Sequence, residues 1–198
     1  MPKLIPRLSL AASGRLFVER LLYIPDLSGS GFNPHPAILD AFDAIRTSVL
    51  GNASLPQPWR RLYISRADSG GRVLINEKEI IERAARAGFT PVELSKLSLA
   101  DQVRLFTEAS HILAPHGAGL TNIGFCQPGA RLCELHMDSY VHWAFRLLAA
   151  LRGVRYGCLV GNTNGERHDW VHSNVWRLDP AALDAILLGP SFIVPGAP

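Results

Sequence analysis

From residue 60 onward, short apolar runs alternate with longer stretches in which apolar residues recur every three or four positions. Arg61-Leu62-Tyr63-Ile64-Ser65 is one such run; its aromatic and β-branched members, ended by a Gly-containing loop, read as a buried strand. Asn76 then stands as a helix N-cap, with Glu77 and Glu79 in the first turn, where carboxylates suit the helix dipole. Ile80, Ile81, Ala84 and Ala85 give that helix one apolar face, and Gly88 ends it. The unit then recurs. Residues 90–94 form a second strand, and Ser98 caps a helix with Leu99, Val103, Phe106 and Ala109 at helical spacing. Residues 112–115 form a third strand running into His116-Gly117-Ala118-Gly119, followed by a short helix over 120–125 and a turn at Gln127-Pro128-Gly129. A fourth strand (131–136), a helix (140–152) and a fifth strand (154–160) come next. Asp179-Pro180 opens a last helix to 188, with Pro at its first position.

Strands alternating with amphipathic helices imply parallel βαβ units with right-handed crossovers. The pattern therefore predicts an α/β fold, a Rossmann-like parallel sheet of about five strands flanked by helices. Residues 1–59 read differently: a strand or hairpin arm at 15–24, a helix over 36–50, and Gly/Ser- and Pro-rich loops at 28–31 and 55–58. The expected division is an N-terminal arm and linker, 1–59, and a Rossmann-like α/β domain, 60–198.

A chain of 198 residues is long enough for one domain that buries roughly 70% of its unfolded surface. Its 47% apolar and 19% charged content excludes a disordered class. Net charge is +3 with a pI near 9.0, and the basic residues are spread out, so nucleic acid is not an expected partner. Cys126, Cys133 and Cys158 are odd in number and lack C-x-x-C spacing, which argues against a disulfide scaffold or a zinc ribbon and for buried thiols in a reducing compartment. No apolar run approaches the ~18 residues of a membrane span, and the N-terminus has no signal-peptide core; a soluble, cytoplasmic protein is the expectation.

In open parallel sheets, ligands bind at the carboxyl ends of strands where the strand order reverses. For the order 2-1-3-4-5 that point lies between the first and third strands, and the two most polar, glycine-rich loops follow those strands. The loop at 65–72 carries Arg66 and Arg72, whose guanidiniums bind phosphate in bidentate fashion. The loop after the third strand carries His116, Gly117, Ala118 and Gly119, small residues that admit a ligand to the backbone and to a helix start. Together they suit a diphosphate. Neither a P-loop nor a G-x-G-x-x-G is present. His168 and His172, four apart, read as loop residues rather than metal ligands, and Ser65 or Ser69 with His116 and Asp68 lacks the G-x-S-x-G elbow of a hydrolase.

An ordered set of these residues resembles family 61 glycosyltransferases. It comprises Tyr63-Ile64-Ser65-Arg66, Arg72, Asn76-Glu77, Gly88-Phe89, 97–103 (Leu-Ser-Leu-Ala-Asp-Gln-Val), 114–122 (Ala-Pro-His-Gly-Ala-Gly-Leu-Thr-Asn), Phe125, Pro128-Gly129 and Glu134. Bacterial members of that family are often associated with capsular polysaccharide biosynthesis, and eukaryotic relatives include xylan-decorating enzymes. The resemblance implies the C-terminal half of a GT-B glycosyltransferase, an inverting mechanism, a nucleotide-sugar donor (a UDP-sugar first) and a glycan or polysaccharide acceptor, with no cofactor and no metal. It implies that Arg66 and His116 are catalytic. Arg66, Arg72, Asn76, Glu77, His116, Gly117, Ala118, Gly119, Asn122 and Glu134 would bind the donor, Glu134 taking ribose hydroxyls and Asn122 fixing its loop or a sugar hydroxyl. Asp68, Glu77 and His116 are the candidates for the general base an inverting transfer needs. A missing N-terminal half, a homo-oligomer and a peripheral membrane association stay open as partners. So does a non-catalytic nucleotide-sugar-binding half-domain, or an anion-binding domain of unrelated role.

Overall fold

The apolar runs form strands: β1 (Arg60–Ile64), β2 (Thr90–Val92), β3 (Ala109–Pro115), β4 (Arg131–Met137) and β5 (Arg155–Asn164), β3 starting three residues early at Ala109, which the spacing assigns to the preceding helix that instead ends at Thr107. They pair in parallel in the order β2-β1-β3-β4-β5, as expected. The structure is a computed structural model that describes residues 34–189 and Phe192; the arm expected at 15–24 and the loop at 28–31 lie outside the described residues. A sixth strand corrects the expected count. β6 (Val175–Arg177) runs antiparallel to β5, pairing Asn162 with Arg177, and at three residues it is too short for its period to show in the sequence. Gly161 lets it approach: a Cβ there would stand 2.4 Å from the Arg177 carbonyl oxygen.

Both faces of the sheet are covered, so successive strand residues are apolar and point into opposite cores. Leu62, Ile64, Ile112, Ala114 and Leu132 face one core, closed by α1 (Ile38–Leu50), α3 (Leu99–Thr107), α4 (Ala144–Arg152) and the 3-10 stretch Ala118–Phe125. Tyr63, Leu113, Cys133 and Leu135 face the other, closed by α2 (Glu77–Arg86) and α5 (Pro180–Leu187). α1 docks through Phe42, whose ring meets Phe125 edge-on at 4.9 Å; Gly124 makes this possible, since a Cβ there would lie 2.4 Å from the Phe42 ring. The three cysteines are free, and burial pushes the Cys126 and Cys133 thiols up to about 12, where they stay protonated. No helix among the described residues is long and apolar enough to cross a membrane.

Helix ends follow their capping residues. The Ser98 hydroxyl accepts from the Asp101 N–H at 3.1 Å and Asp179 from the Ala181 N–H at 2.9 Å, while Gly88 and Gly153 take the positive φ that closes α2 and α4. Two starts differ from expectation. Asn76 precedes α2 but makes no side-chain cap bond; its amide donates to the Leu178 carbonyl (2.9 Å) and accepts from the Leu178 N–H (3.2 Å), tying the β1 loop to the end of β6. The helix expected from 140 begins at Ala144, because Tyr140 turns back to bridge Met137 at the end of β4. Residues 140–143 are thereby placed at the carboxyl edge of the sheet.

Candidate functional site

The crevice between β1 and β3 is built from the inside by Glu77. Its Oε1 accepts from the Tyr63 hydroxyl (3.1 Å), the Ser65 hydroxyl (3.1 Å) and the Arg66 N–H (3.2 Å), so a carboxylate in the first turn of α2 holds the whole exit of β1. Arg66 leaves this anchor with Nη2 donating to the Ser69 hydroxyl (2.7 Å) and the Gly71 carbonyl (3.3 Å). Its Nη1 reaches across to the β3 loop. A Cβ on Gly117 would sit 1.9 Å from that nitrogen, so the glycine is what allows the guanidinium to span the two loops.

Arg72 is, among the described residues, the non-glycine residue with positive φ (53°). That conformation is held from both sides: its N–H donates to the His172 carbonyl (2.8 Å) and its carbonyl accepts from the Trp176 indole (2.8 Å). The guanidinium lies over Tyr140, 4.6 Å from the ring centre. The Nε atoms of both arginines are buried without a partner. Burial, then the neighbouring charge of Arg72, lowers the Arg66 pKa from its ordinary value. Two like charges drawn into one crevice with donors unused are what an anion would relieve.

On the far side, the His116 N–H donates to the Leu135 carbonyl at 2.8 Å, continuing the β3–β4 ladder, and its ring stands on Glu134 with Nδ1 2.6 Å from Oε1. Glu134 is 0% exposed; Oε2 accepts from the Tyr156 hydroxyl at 2.8 Å and lies 3.4 Å from His136 Nε2. Burial alone would raise this carboxyl, but the hydrogen bonds from His116, His136 and Tyr156 hold it at about 2. Burial also lowers the His116 pKa, against the opposite pull of Glu134. The ring is then neutral near pH 7, its Nδ1–H given to the carboxylate, and Nε2 is the nitrogen left for a ligand.

The structure thus brings Arg66, Arg72, His116, Gly117, Ala118 and Gly119 together at the crevice and sets Glu77, Asn122 and Glu134 behind them. Glu134 has no exposed oxygen with which to meet a ribose; it orients His116 instead. Asn122 donates to Gln102 Oε1 (3.0 Å) and the Gly119 carbonyl (3.1 Å), fixing the loop. Asn76 faces Leu178, not the crevice. Ser65 and Ser69 are engaged by Glu77 and Arg66, not by His116, so no hydrolase triad forms. His116, Glu134 and His136 place one donor atom each within 4.8 Å of one another, a spacing a metal ion could use; His116 Nδ1 and His136 Nε2 face the Glu134 carboxylate, and His136 Nδ1 is buried without a partner. Sequence reasoning missed Tyr140, Tyr156, Trp170 and His172. The signal available was the histidine–aromatic alternation at Tyr140, His142, Trp143 and again at Trp170, His172.

A parallel α/β sheet with a cationic crevice at its point of strand-order reversal defines a class of anion- and nucleotide-binding domains. Within it the chain belongs to glycosyltransferase family 61: the family profile described as Glycosyltransferase 61 matches residues 1–133, which include both crevice loops. A β-1,2-xylosyltransferase of Arabidopsis thaliana is 30% identical over 124 residues, covering 54% of this chain and 23% of the relative. The β-1,2-xylosyltransferase RCN11 of Oryza sativa subsp. japonica is 26% identical over 136 residues, covering 60% of this chain and 25% of the relative. The chain spans about a quarter of the length of these relatives.

Proposed function

We propose that this chain is the donor-binding half of an inverting, metal-independent GT-B glycosyltransferase, which passes a sugar from a nucleoside diphosphate to a hydroxyl of a glycan or polysaccharide. Arg66 and Arg72 carry the reading: two half-buried guanidiniums with unused Nε–H donors converge where a sheet of this order binds its ligand. Family membership supports it. As the bond between the sugar and the diphosphate breaks, negative charge grows on the departing phosphate oxygen. The arginines meet that charge with donors already in place, which is electrostatic stabilisation of the transition state. With its Nδ1–H on Glu134, a neutral His116 keeps the Nε2 lone pair that a general base needs. The acceptor hydroxyl needs a general base. Glu77 is engaged inside the β1 loop, which leaves Asp68 and His116 of the candidates within this chain.

The test is calorimetric titration with pyrophosphate, UDP, GDP and UDP-xylose, the last chosen because the relatives are named for xylose transfer. Each is run with and without magnesium on the wild type, Arg66→Ala and Arg72→Ala. Micromolar binding of a nucleoside diphosphate, weakened at least tenfold by either substitution and indifferent to magnesium, is expected. No binding by the folded protein, or wild-type affinity in both variants, overturns the reading. A second reading is a domain that binds the donor without transferring the sugar until a partner domain or subunit supplies the acceptor side. Release of UDP from UDP-xylose by the chain alone would sink that alternative.

A further inference from the structure

The crevice has two unlike flanks, and their places follow from the strand order. Toward β2 lies a cavity of ≈ 250 Å³ walled by Ile64, Leu94, Pro115 and Leu120, with the Ser65 and Ser69 hydroxyls at its edge. Leu94 packs on Gly119 so closely that a Cβ there would be 2.8 Å from its Cδ1, which makes this wall continuous with the β3 loop. Toward β4 and β6 lies an open aromatic shelf. Tyr140 stands 5.4 Å from His172 and 5.4 Å from His116, Trp170 stands 4.7 Å from His172, and Trp143 and Trp170 are 45% and 68% exposed. Arg66 joins the cavity to the crevice and Arg72, lying on Tyr140, joins the shelf to it.

We propose that a nucleoside diphosphate sugar lies across the site in one direction, its base in the Ile64–Leu94 cavity and its transferred sugar over the Tyr140–Trp143–Trp170 shelf. This rests on the donor-binding reading above and adds which end goes where. The cavity is slightly smaller than the ~300–1,000 Å³ of ordinary ligand pockets, so it takes part of a donor. Its aliphatic walls suit the faces of a flat heteroaromatic ring, and the Ser69 hydroxyl and Asp68 carboxylate, which also line it, offer polar atoms to the ring edge. A sugar there would leave most of its hydroxyls without partners for the hydrogen bonds they give up on leaving water. The shelf has the opposite character. Its rings offer faces to the C–H groups of a sugar, and its histidines offer nitrogen atoms to the hydroxyls. Above all, it is open: the sugar carbon that changes partners must be reached by an acceptor, whereas the base takes no part in bond exchange and can be enclosed.

Four variants of the full chain test the direction. Leu94→Phe fills the cavity and Leu94→Ala widens it; Trp143→Ala and Trp170→Ala strip the shelf. Each is titrated with pyrophosphate, UDP, GDP and UDP-xylose, and each is checked for an unchanged circular dichroism spectrum. Pyrophosphate binding serves as the internal control for a folded, intact crevice. The expected result is that Leu94→Phe weakens UDP or GDP at least tenfold and Leu94→Ala about threefold, both leaving pyrophosphate within twofold. The tryptophan variants should leave UDP and pyrophosphate within twofold and remove whatever affinity UDP-xylose has beyond UDP. UDP and GDP binding no tighter than pyrophosphate, a Leu94→Phe variant that retains its nucleotide, or tryptophan variants that weaken UDP overturn the proposal. Failure of pyrophosphate to bind the wild type instead overturns the donor-site reading, and this direction with it.

Discussion

Arg66 and Arg72 carry two like charges into a half-buried crevice with their Nε atoms unpartnered, and Arg72 holds a left-handed backbone besides. His116, on the opposite loop, stands on a carboxylate whose oxygens are both engaged, backed by Tyr156 and His136. The first loop stores repulsion, unused donors and strain, the second a buried network in which both Glu134 oxygens are engaged and His136 Nδ1 is left over. The comparison teaches that electrostatic frustration and electrostatic satisfaction sit side by side for different purposes. The frustrated loop gains from an anion, and the satisfied loop supplies a rigid wall against which the anion is held. Substitutions on the two sides should therefore separate binding from stability.

The largest effect should come from the satisfied side. Glu134→Ala leaves His116 and Tyr156 without their buried acceptor and should lower stability by about 3 kcal/mol, read by urea denaturation. A loss of under about 1 kcal/mol would mean the network is not what holds this wall. On the frustrated side, Arg66→Ala and Arg72→Ala should each weaken pyrophosphate about 10- to 100-fold, the worth of a charge-assisted hydrogen bond. Their melting temperatures should stay level or rise, because like-charge repulsion is relieved; a clear fall would make these arginines structural.

A sharper probe joins the two sides. Gly117→Ala places a Cβ where Arg66 Nη1 lies, and the flexible end of the arginine can yield, so the fold should survive while pyrophosphate affinity drops about tenfold. Gly124→Ala, in the same stretch, meets the ring of buried Phe42 and should do the reverse, lowering the melting temperature with ligand affinity within twofold. Equal effects of the two substitutions on both readouts would erase the distinction.

The smallest effect is in pH. The Glu134 pKa of about 2 lies below the ~4.3 of an unfolded glutamate, so its contribution is complete above about pH 4.3 and is lost as pH falls toward 2. His116 is held neutral, below the ordinary histidine value of ~6.5, so protonation of the unfolded chain already erodes stability once the pH drops under about 6.5. Denaturation midpoints between pH 8 and pH 3 should fall in those two stages. Glu134→Gln should lack the lower one; a wild-type midpoint flat from pH 8 to pH 4 would contradict the His116 assignment, and one that does not fall further below pH 4 the Glu134 assignment.

The legible part of this protein was whatever repeats or sits within one turn of its cause. Leu62, Tyr63 and Ile64 announce a doubly covered strand because parallel strands need apolar groups on both faces. Ser98 and Asp179 announce helix starts because a cap is a local bond. Arg66, Arg72 and the Gly117–Gly119 loop were legible as a meeting place once the common order 2-1-3-4-5 was taken for the βαβ units, an order the sheet has through β5. Asn76 looked like a cap and Glu134 like a ligand contact, yet one faces Leu178 and the other is sealed under His116. Nothing in their neighbours along the chain distinguishes these roles.

Sequence alone thus determined most element types and the loops that carry charge, because periodicity, capping and crossover handedness act over short spans. Tertiary structure decided which polar groups remain free. Glu77 is taken by Tyr63 and Ser65, Trp176 clamps Arg72 from 104 residues away, and Tyr156 closes the Glu134 network from 22. A donor or acceptor is available to a ligand only when no distant partner has claimed it, and that depends on burial and on contacts between segments far apart in the chain.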